Sequence, residues 1–195
     1  ELDGTKTAII GDTVAAVTDD LAGAELYLGT TKTSGVDFSE IEGDININLA
    51  DGESGTISGN EATFDGIRKI TAGAGNSTVI GDSENNTLVA GNGNSSLWGE
   101  GGNDLLIGRA DKEGSTTFAF LTGSGRDTIQ GFQAGTDDNS DVINTYGAEI
   151  TSITSKDGNV IVKVDNSSDK LVIENAVGEK IQRSEERRVG KECRS

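Results

Sequence analysis

Four consecutive nine-residue blocks, together spanning residues 72–107, constrain the fold of this chain more than any other feature. The blocks read AGAGNSTVI, GDSENNTLV, AGNGNSSLW and GEGGNDLLI. The eighth residue of each block is aliphatic: Val79, Leu88, Leu97 and Leu106. Ile70 lies nine residues before Val79 and continues the same pattern upstream. A glycine-rich turn and one apolar place at a fixed period predict stacked coils of short strands, because each repeat buries its apolar side chain only against its neighbours. We therefore expect the eighth-place side chains to face inward.

The blocks also form pairs. The first and third blocks begin with Ala-Gly and carry no charge, whereas the second and fourth begin with Gly-Asp and Gly-Glu. This alternation predicts a coil of eighteen residues, with two blocks in each coil. One side of the stack is then an uncharged flank (residues 72–77 and 90–95), and the other is an acidic flank (residues 81–86 and 99–104). We expect the two flanks to bind metal unequally.

The blocks resemble the repeats-in-toxin (hemolysin-type) nonapeptide G-G-x-G-x-D-x-U-x, whose turns bind calcium. The register is lost after residue 107 and returns in TGSGRDTIQ, residues 122–130. The longer run TFAFLTGSGRDTIQGFQAGTDDNSDVI resembles the ends of such repeat tracts in secreted bacterial proteins. The resemblance covers about residues 44–145. It implies a right-handed parallel β-roll.

The rest of the chain also has a strand pattern. Short apolar runs at residues 7–10, 14–17 and 25–28 are separated by Gly, Asp and Ser, and residues 45–49 alternate. The Asp157-Gly158 pair between apolar runs predicts a hairpin. We therefore predict an all-β chain: a parallel β-roll or β-solenoid with flanking short strands and a C-terminal β-meander. The expected divisions are a strand-rich flank (1–62), the roll (63–132), a hairpin cap (133–182) and a tail (183–195).

The tail, RSEERRVGKECRS, resembles the translation of a sequencing adapter, and we exclude it from the fold. It contains Cys193, the single cysteine of the chain. The chain has no methionine, so we expect Glu1 not to be a natural start and the sequence to be a piece of a longer protein.

Composition excludes several function classes. The formal net charge of −17 argues against nucleic acid, since binding there depends on Lys and Arg neutralising phosphates. An acidic surface fits a calcium-rich exterior, where cations screen carboxylates that would otherwise repel. No run of about 18 apolar residues is present, so no transmembrane segment is predicted. The chain has no histidine, which excludes histidine-assisted nucleophiles and the H-E-x-x-H zinc motif. We predict no enzymatic activity.

The sixth place of the repeat is the position at which the family carries its acidic calcium ligand. Calcium takes about six to eight oxygen ligands, and glycine turns aim carbonyl oxygens inward. The sixth places of this chain are Ser77, Asn86, Ser95, Asp104, Thr116 and Asp127. Only Asp104 and Asp127 keep the acid, and Asp82, Glu84 and Glu100 add negative charge near the acidic flank. The metal-binding residues implied by the resemblance are Asp104, Asp127, Asn86, Gly99, Gly101, Gly81 and Gly125.

Two other positions have alternative interpretations. The fifth place is always asparagine (Asn76, Asn85, Asn94 and Asn103), and we favour hydrogen bonding between stacked turns over metal binding. The ninth place is apolar and should point away from the buried eighth place. Either the terminal strands cover these ninth-place side chains, or the side chains contact another chain: Ile80, Val89, Trp98 and Ile107.

The resemblance implies a non-catalytic, calcium-binding structural module of a secreted or surface-displayed bacterial protein, similar to an adhesin. The alternative is a C-terminal secretion and folding module of an extracellular protease, lipase or polysaccharide-modifying enzyme. The resemblance further implies export by type I secretion with an uncleaved C-terminal signal. The expected partners are calcium ions and other cell-surface proteins or glycans.

Overall fold

A computed structural model describes residues 15–16, 27–28, 34–50, 54–64, 66–109, 114–135, 139–165 and 167–176. The predicted strand at residues 7–10 lies outside the described residues, as do the ends of the predicted strands at 14–17 and 25–28. The adapter-like tail, residues 183–195, also lies outside them.

The described residues form strands and turns and contain no helix, which confirms the all-β prediction. No helix in this part of the chain is therefore long and apolar enough to cross a membrane. The strands, in chain order, are β1 (Ala15–Ala16), β2 (Tyr27–Leu28), β3 (Ser34–Asp37), β4 (Ile45–Asn48), β5 (Ser54–Ile57), β6 (Asn60–Phe64), β7 (Ile67–Thr71), β8 (Ser77–Ile80), β9 (Thr87–Val89), β10 (Ser95–Trp98), β11 (Leu105–Ile107), β12 (Thr116–Ala119), β13 (Arg126–Gln130), β14 (Val142–Asn144), β15 (Ile150–Lys156), β16 (Asn159–Val164) and β17 (Lys170–Ile173).

The strands form two sheets. The first sheet has the order β14-β12-β10-β8-β4-β5-β6-β2, and the second has the order β1-β3-β7-β9-β11-β13-β17-β16-β15. From β8 to β13 the chain alternates between the two sheets, and neighbouring strands within each sheet are parallel. Ser95 pairs with Ser77 and Leu105 with Thr87, an offset of 18 residues in both sheets. The eighteen-residue coil predicted from the sequence is therefore confirmed.

The core lies between the sheets and is built from the eighth places of the repeat. Val79 and Leu97 come from the first sheet, Leu88 and Leu106 come from the second, and all four are 0% exposed. Phe118 and Ile129 continue the two rows and are equally buried. The predicted inward orientation of the eighth place is therefore confirmed. Each side chain is buried by the coils above and below it, as stacking predicts.

The parallel stack extends beyond the nonapeptide blocks. Upstream, β3 pairs in parallel with β7, and β4 pairs in parallel with β8, so the stack includes strands from the stretch assigned to the N-terminal flank. Downstream, β13 pairs in parallel with β17, and β17, β16 and β15 form an antiparallel meander. The predicted turn joins β15 to β16, with Asp157 and Gly158 at positive φ (53° and 84°).

The ninth-place residues do not form one row. Ile80 and Trp98 lie on the outer face of the first sheet, and Val89 and Ile107 lie on the outer face of the second. All four are partly buried. Tyr146, which follows β14, stacks on Trp98 with ring centroids 5.6 Å apart and an angle of 13° between the rings. Of the two alternatives for the ninth place, the structure therefore shows that the C-terminal part of the chain covers Trp98.

Candidate calcium-binding flank

The turns that lead from the first sheet to the second stack on one side of the molecule. They place residues 122–127 in line with residues 81–86 and 99–104. From here on, the term acidic flank includes all three segments. Their sixth-place residues, Asn86, Asp104 and Asp127, form a column with one member in each coil. The three side chains are 2%, 2% and 1% exposed. Two aspartates are thus buried one coil apart.

Each aspartate of this column uses one carboxylate oxygen to join two coils. The backbone N–H of Asn86 donates to Asp104 Oδ1 at 2.8 Å, and the N–H of Asp104 donates to Asp127 Oδ1 at 2.9 Å. Oδ2 of Asp104 and Oδ2 of Asp127 are buried and have no hydrogen-bond partner among the described residues. Buried polar atoms are nearly always paired, and an unpaired one points to a ligand such as an ion or water.

The same burial perturbs the acidity of the column. Burial raises the pKa of Asp104 to about 7, although the hydrogen bond from the Asn86 N–H opposes the shift. Burial likewise raises the pKa of Asp127 to about 8, and the negative charges of Asp104 and Asp169 raise it further. A buried carboxylate is costly to ionise unless a cation is near. At neutral pH the column therefore favours either a proton or a bound cation.

Glycines allow the sixth-place side chains to lie against their own turns. A Cβ on Gly99 would overlap Asp104 Oδ2, and a Cβ on Gly81 would overlap Asn86 Oδ1. A Cβ on Gly81 would also lie 2.6 Å from the carbonyl oxygen of Gly99 in the next coil. Substitution of either glycine would therefore displace the oxygen atoms that line this flank.

The other two predicted glycines lie in the same stack. Gly125 has a φ of +82°, and a Cβ there would overlap the carbonyl oxygen of Gly102 in the preceding coil. The N–H of Gly101 donates to the carbonyl oxygen of Asp82 at 3.2 Å. All seven predicted metal-binding residues therefore come together on the acidic flank.

This donor set fits calcium. Calcium is a hard cation that prefers carboxylate and carbonyl oxygens, and the acidic flank supplies both. In the described part of the chain, no three acidic, histidine or cysteine side chains converge on one point. A calcium ion held here would therefore take one or two carboxylates and complete its coordination with carbonyl oxygens of the turns.

One of the expected neighbouring charges is neutralised. The Arg68 guanidinium forms an ion pair with Asp82 at 2.6 Å, and the Glu84 N–H donates to the other oxygen of Asp82 at 2.8 Å. The sequence predicts that Asp82 adds negative charge near the metal-binding turns. Arg68 offsets that charge, so Asp82 adds less attraction for a cation than the sequence predicts.

The uncharged flank differs at the same place of the repeat. Ser77, Ser95 and Thr116 fill the column there and are buried. The N–H of Gly91 donates to Ser95 Oγ at 3.1 Å, within a single turn. At these three positions the column therefore has hydroxyl groups and no carboxylate.

Two buried aspartates were missed by the sequence analysis. Asp141 lies one coil beyond Thr116, and both of its carboxylate oxygens accept backbone N–H groups, from Thr116 at 2.7 Å and from Gln133 at 2.9 Å. Asp169 accepts the N–H of Gly123 at 2.7 Å and is 8% exposed. Like Asp104 and Asp127, both precede an apolar residue by two positions. That spacing was the available signal.

The fifth-place asparagines form hydrogen-bond ladders between coils. Asn76 Oδ1 accepts the N–H of Asn94 at 3.1 Å, and Asn94 Oδ1 accepts the N–H of Ser115 at 3.1 Å. On the acidic flank, Asn85 Oδ1 accepts the N–H of Asn103 at 2.8 Å. These bonds agree with the interpretation that the fifth-place asparagines join stacked turns.

Comparison with known families identifies the repeats. A model of the RTX calcium-binding nonapeptide repeat matches two overlapping stretches of the chain, residues 69–94 and 80–112, and describes four copies. Residues 69–112 are RTX nonapeptide repeats. This match confirms the recognised family for that segment, which we call the RTX segment. No curated protein matches the chain. The RTX segment contains Asn86 and Asp104, whereas Asp127 lies beyond it.

Proposed function

We propose that the acidic flank binds calcium at two sites. The first lies between the turns at residues 81–86 and 99–104, and the second lies between residues 99–104 and 122–127. The supporting observation is the pair of buried, unpaired oxygens, Oδ2 of Asp104 and Oδ2 of Asp127. Asp104 belongs to the RTX segment, and Asp127 continues its column in the next coil. Carbonyl oxygens of the glycine turns, including that of Gly99, complete the ligands.

Calcium has a structural role in this proposal. Without a cation, burial and mutual repulsion make it costly to ionise both carboxylates, so the column holds a proton at neutral pH. A cation that binds the folded chain stabilises it by mass action. The uncharged flank has no corresponding carboxylate among Ser77, Ser95 and Thr116, so its coils stack without metal. The parallel strands and the RTX match support a right-handed parallel β-roll as the folded state.

Replacing Asp104 with Asn tests both proposed sites, since Asp104 lies between them. Calorimetric titration of the full chain should detect fewer calcium ions bound to Asp104→Asn than to the wild type. In calcium the variant should be less stable than the wild type. In a chelator it should be equally or more stable, because the substitution removes a buried, unpaired charge.

Ser95→Ala is the matched control from the uncharged flank. It should keep the wild-type calcium stoichiometry, and it should lose the same small stability, about 1 kcal/mol, with and without calcium. Absence of any calcium-dependent heat or stabilisation in the wild type would overturn the proposal. The stack would then be held by apolar packing and the asparagine ladders alone.

For the larger context we propose a non-catalytic module of a secreted or surface-displayed bacterial protein, similar to an adhesin. Calcium and an acidic surface support an extracellular setting, where the cation screens the net charge of −17. Other cell-surface proteins or glycans are the proposed partners. The second candidate is the C-terminal folding and type I secretion module of an extracellular enzyme.

The genomic sequence on either side of this segment distinguishes the two contexts. Further repeat domains would support the adhesin-like protein. An upstream protease, lipase or polysaccharide-modifying domain would support the second candidate and contradict the first.

A further inference from the structure

A groove crosses the outer face of the first sheet beside the uncharged flank. It has a volume of about 630 Å³ and lies across β4, β8, β10 and β12. Thr56 of β5 and Gly59 of the turn after β5 also line it, as do the asparagines of the uncharged flank. Ligand-binding clefts in proteins commonly enclose about 300–1,000 Å³, so the groove has the size of a binding site.

A row of polar side chains runs along this groove. Thr78 pairs with Ser96 and Ser96 pairs with Thr117, and Asn46 pairs with Thr78 on the other side. Each of the four lies between buried neighbours on its strand and therefore points outward. Parallel strands are about 4.8 Å apart, so the row spans about 14 Å along the stack.

The protein itself does not use the hydroxyl groups of this row. The side chains of Thr78, Ser96 and Thr117 make no hydrogen bond to any of the described residues. A hydroxyl group both donates and accepts a hydrogen bond. The row therefore presents the same donor and acceptor chemistry once in each coil.

Asparagines of the uncharged flank add donors beside the row. Oδ1 of Asn76 and Oδ1 of Asn94 accept backbone N–H groups of the next coil, which holds both amides in place. Their Nδ2 groups have no partner in the described part of the chain. Ser77 also lines the groove, is 4% exposed, and has an Oγ without a partner among the described residues. A buried polar atom of this kind is rare in proteins and indicates a hydrogen bond to an external group.

The groove carries little charge. Asp44 is the one ionisable residue among the described residues that line it, and Asp44 Oδ1 accepts the N–H of Asn76 at 2.8 Å. Without a lysine or arginine among these lining residues, the groove lacks the groups that bind phosphate or carboxylate ligands. Its outward row has no apolar or aromatic side chain to anchor a protein partner. Neutral molecules rich in hydroxyl groups fit best, since they donate and accept hydrogen bonds as the groove does.

We infer that this groove binds a neutral glycan chain that lies along the stack, across β4, β8, β10 and β12. Successive sugars meet the same polar row, because the row repeats once in each coil. The Nδ2 groups of Asn76 and Asn94 donate to the chain from the side. The inference rests on the larger context of the proposed function, in which glycans are partners. It does not depend on the calcium sites, which lie on the acidic flank.

Affinity electrophoresis of the full chain in calcium tests the groove. Native gels contain dextran, mannan, galactan or xylan as neutral polysaccharides, and alginate as an anionic one. At least one neutral polysaccharide should retard the wild type, and alginate should not. The double variant Thr78→Val and Thr117→Val removes two hydroxyl groups of the row and keeps the side-chain shape. It should bind that polysaccharide roughly tenfold more weakly or worse. Ser96→Ala, a smaller change at the centre of the row, should weaken binding by roughly threefold.

The matched control is the double variant Thr87→Val and Thr128→Val. These threonines occupy the equivalent places on the outer face of the second sheet, outside the groove. The control should keep the wild-type retardation, and every variant should keep the wild-type circular dichroism spectrum because the changed side chains point outward.

Equal retardation of the wild type and the groove variants would overturn the inference, as would retardation by alginate alone or by none of the polysaccharides. Calorimetric titration measures the calcium sites separately, so each of these outcomes leaves the acidic flank unaffected. Conversely, retardation that depends on the groove in a chain that binds no calcium would sustain this inference while the calcium proposal fails.

Discussion

The two flanks share one backbone plan and differ in what the sixth place carries. In both, the sixth-place side chain is buried and the coils are offset by eighteen residues where the repeat is regular. Ser95 is satisfied inside its own turn by the Gly91 N–H. Asp104 uses one oxygen to join the next coil and has a second oxygen that the described protein groups leave unpaired. Ser77 Oγ, at the same place one coil earlier, is buried without a partner among the described residues, so the two flanks differ in the charge at the sixth place and not in the presence of unpaired oxygens.

Asp141 refines this comparison. It is a buried aspartate beyond the uncharged flank, yet two backbone N–H groups satisfy its two oxygens. A buried aspartate in the stack therefore does not always have an unpaired carboxylate oxygen. The proposed calcium ligands are distinguished by a buried oxygen to which the neighbouring coils direct no N–H group.

The largest expected effect comes from a substitution that affects both flanks at once. Leu97→Asp places a charge in the core shared by all coils, and the milder Leu→Ala change at a buried site already costs about 2–5 kcal/mol. We expect Leu97→Asp to unfold the repeats with or without calcium, as measured by circular dichroism. Ser96→Asp, one residue earlier on the outer face, is the control and should fold. Normal folding of Leu97→Asp would contradict the common core.

A smaller expected effect is a pH dependence of folding stability that comes from the acidic flank and not from the uncharged flank. Because the folded-state pKa values of Asp104 and Asp127 are raised, each group binds its proton more tightly in the folded chain than in the unfolded chain. Their contribution to stability is complete below the unfolded pKa and is lost as the pH rises through about 7 and 8. Denaturant unfolding of the calcium-free chain should therefore show higher stability at pH 5 than at pH 9.

The double variant Asp104→Asn and Asp127→Asn is the control for that measurement and should lose most of this pH dependence. Calcium should also reverse the trend, since metal binding requires the deprotonated carboxylates. A calcium-free wild type that becomes more stable between pH 5 and pH 9 would show that the column is not buried as the structure has it.

The smallest expected effect concerns the asparagine ladders, which the two flanks share. Asn94→Ala removes the acceptor for the Ser115 N–H, and Asn85→Ala removes the acceptor for the Asn103 N–H. Each should cost about 1 kcal/mol, equally with and without calcium, in chemical denaturation. A loss of calcium affinity confined to Asn85→Ala would assign that asparagine a metal-binding role and distinguish the two ladders.

The repeat period alone determined much of the architecture. The eighth-place rule predicted that Leu88 and Leu97 are buried, and the pairing of blocks predicted two chemically distinct flanks. Such features follow from local periodicity, because every coil repeats the same alternation of turn and strand. The family of residues 69–112 was also evident from these blocks. The resemblance, extended to residues 122–130, implied the seven metal-binding residues, and that role remains a prediction.

Tertiary structure decided which of these groups are chemically distinct. The hydrogen bonds that matter join residues far apart in the chain: Asn86 to Asp104, Thr116 to Asp141, and Gly123 to Asp169, separated by 18, 25 and 46 residues. Sequence spacing treats these aspartates alike, since each precedes an apolar residue by two positions. Only the stacked coils determine which N–H groups reach each carboxylate. Asp141 is thereby fully hydrogen-bonded, whereas Asp104 and Asp127 each retain an oxygen suited to calcium.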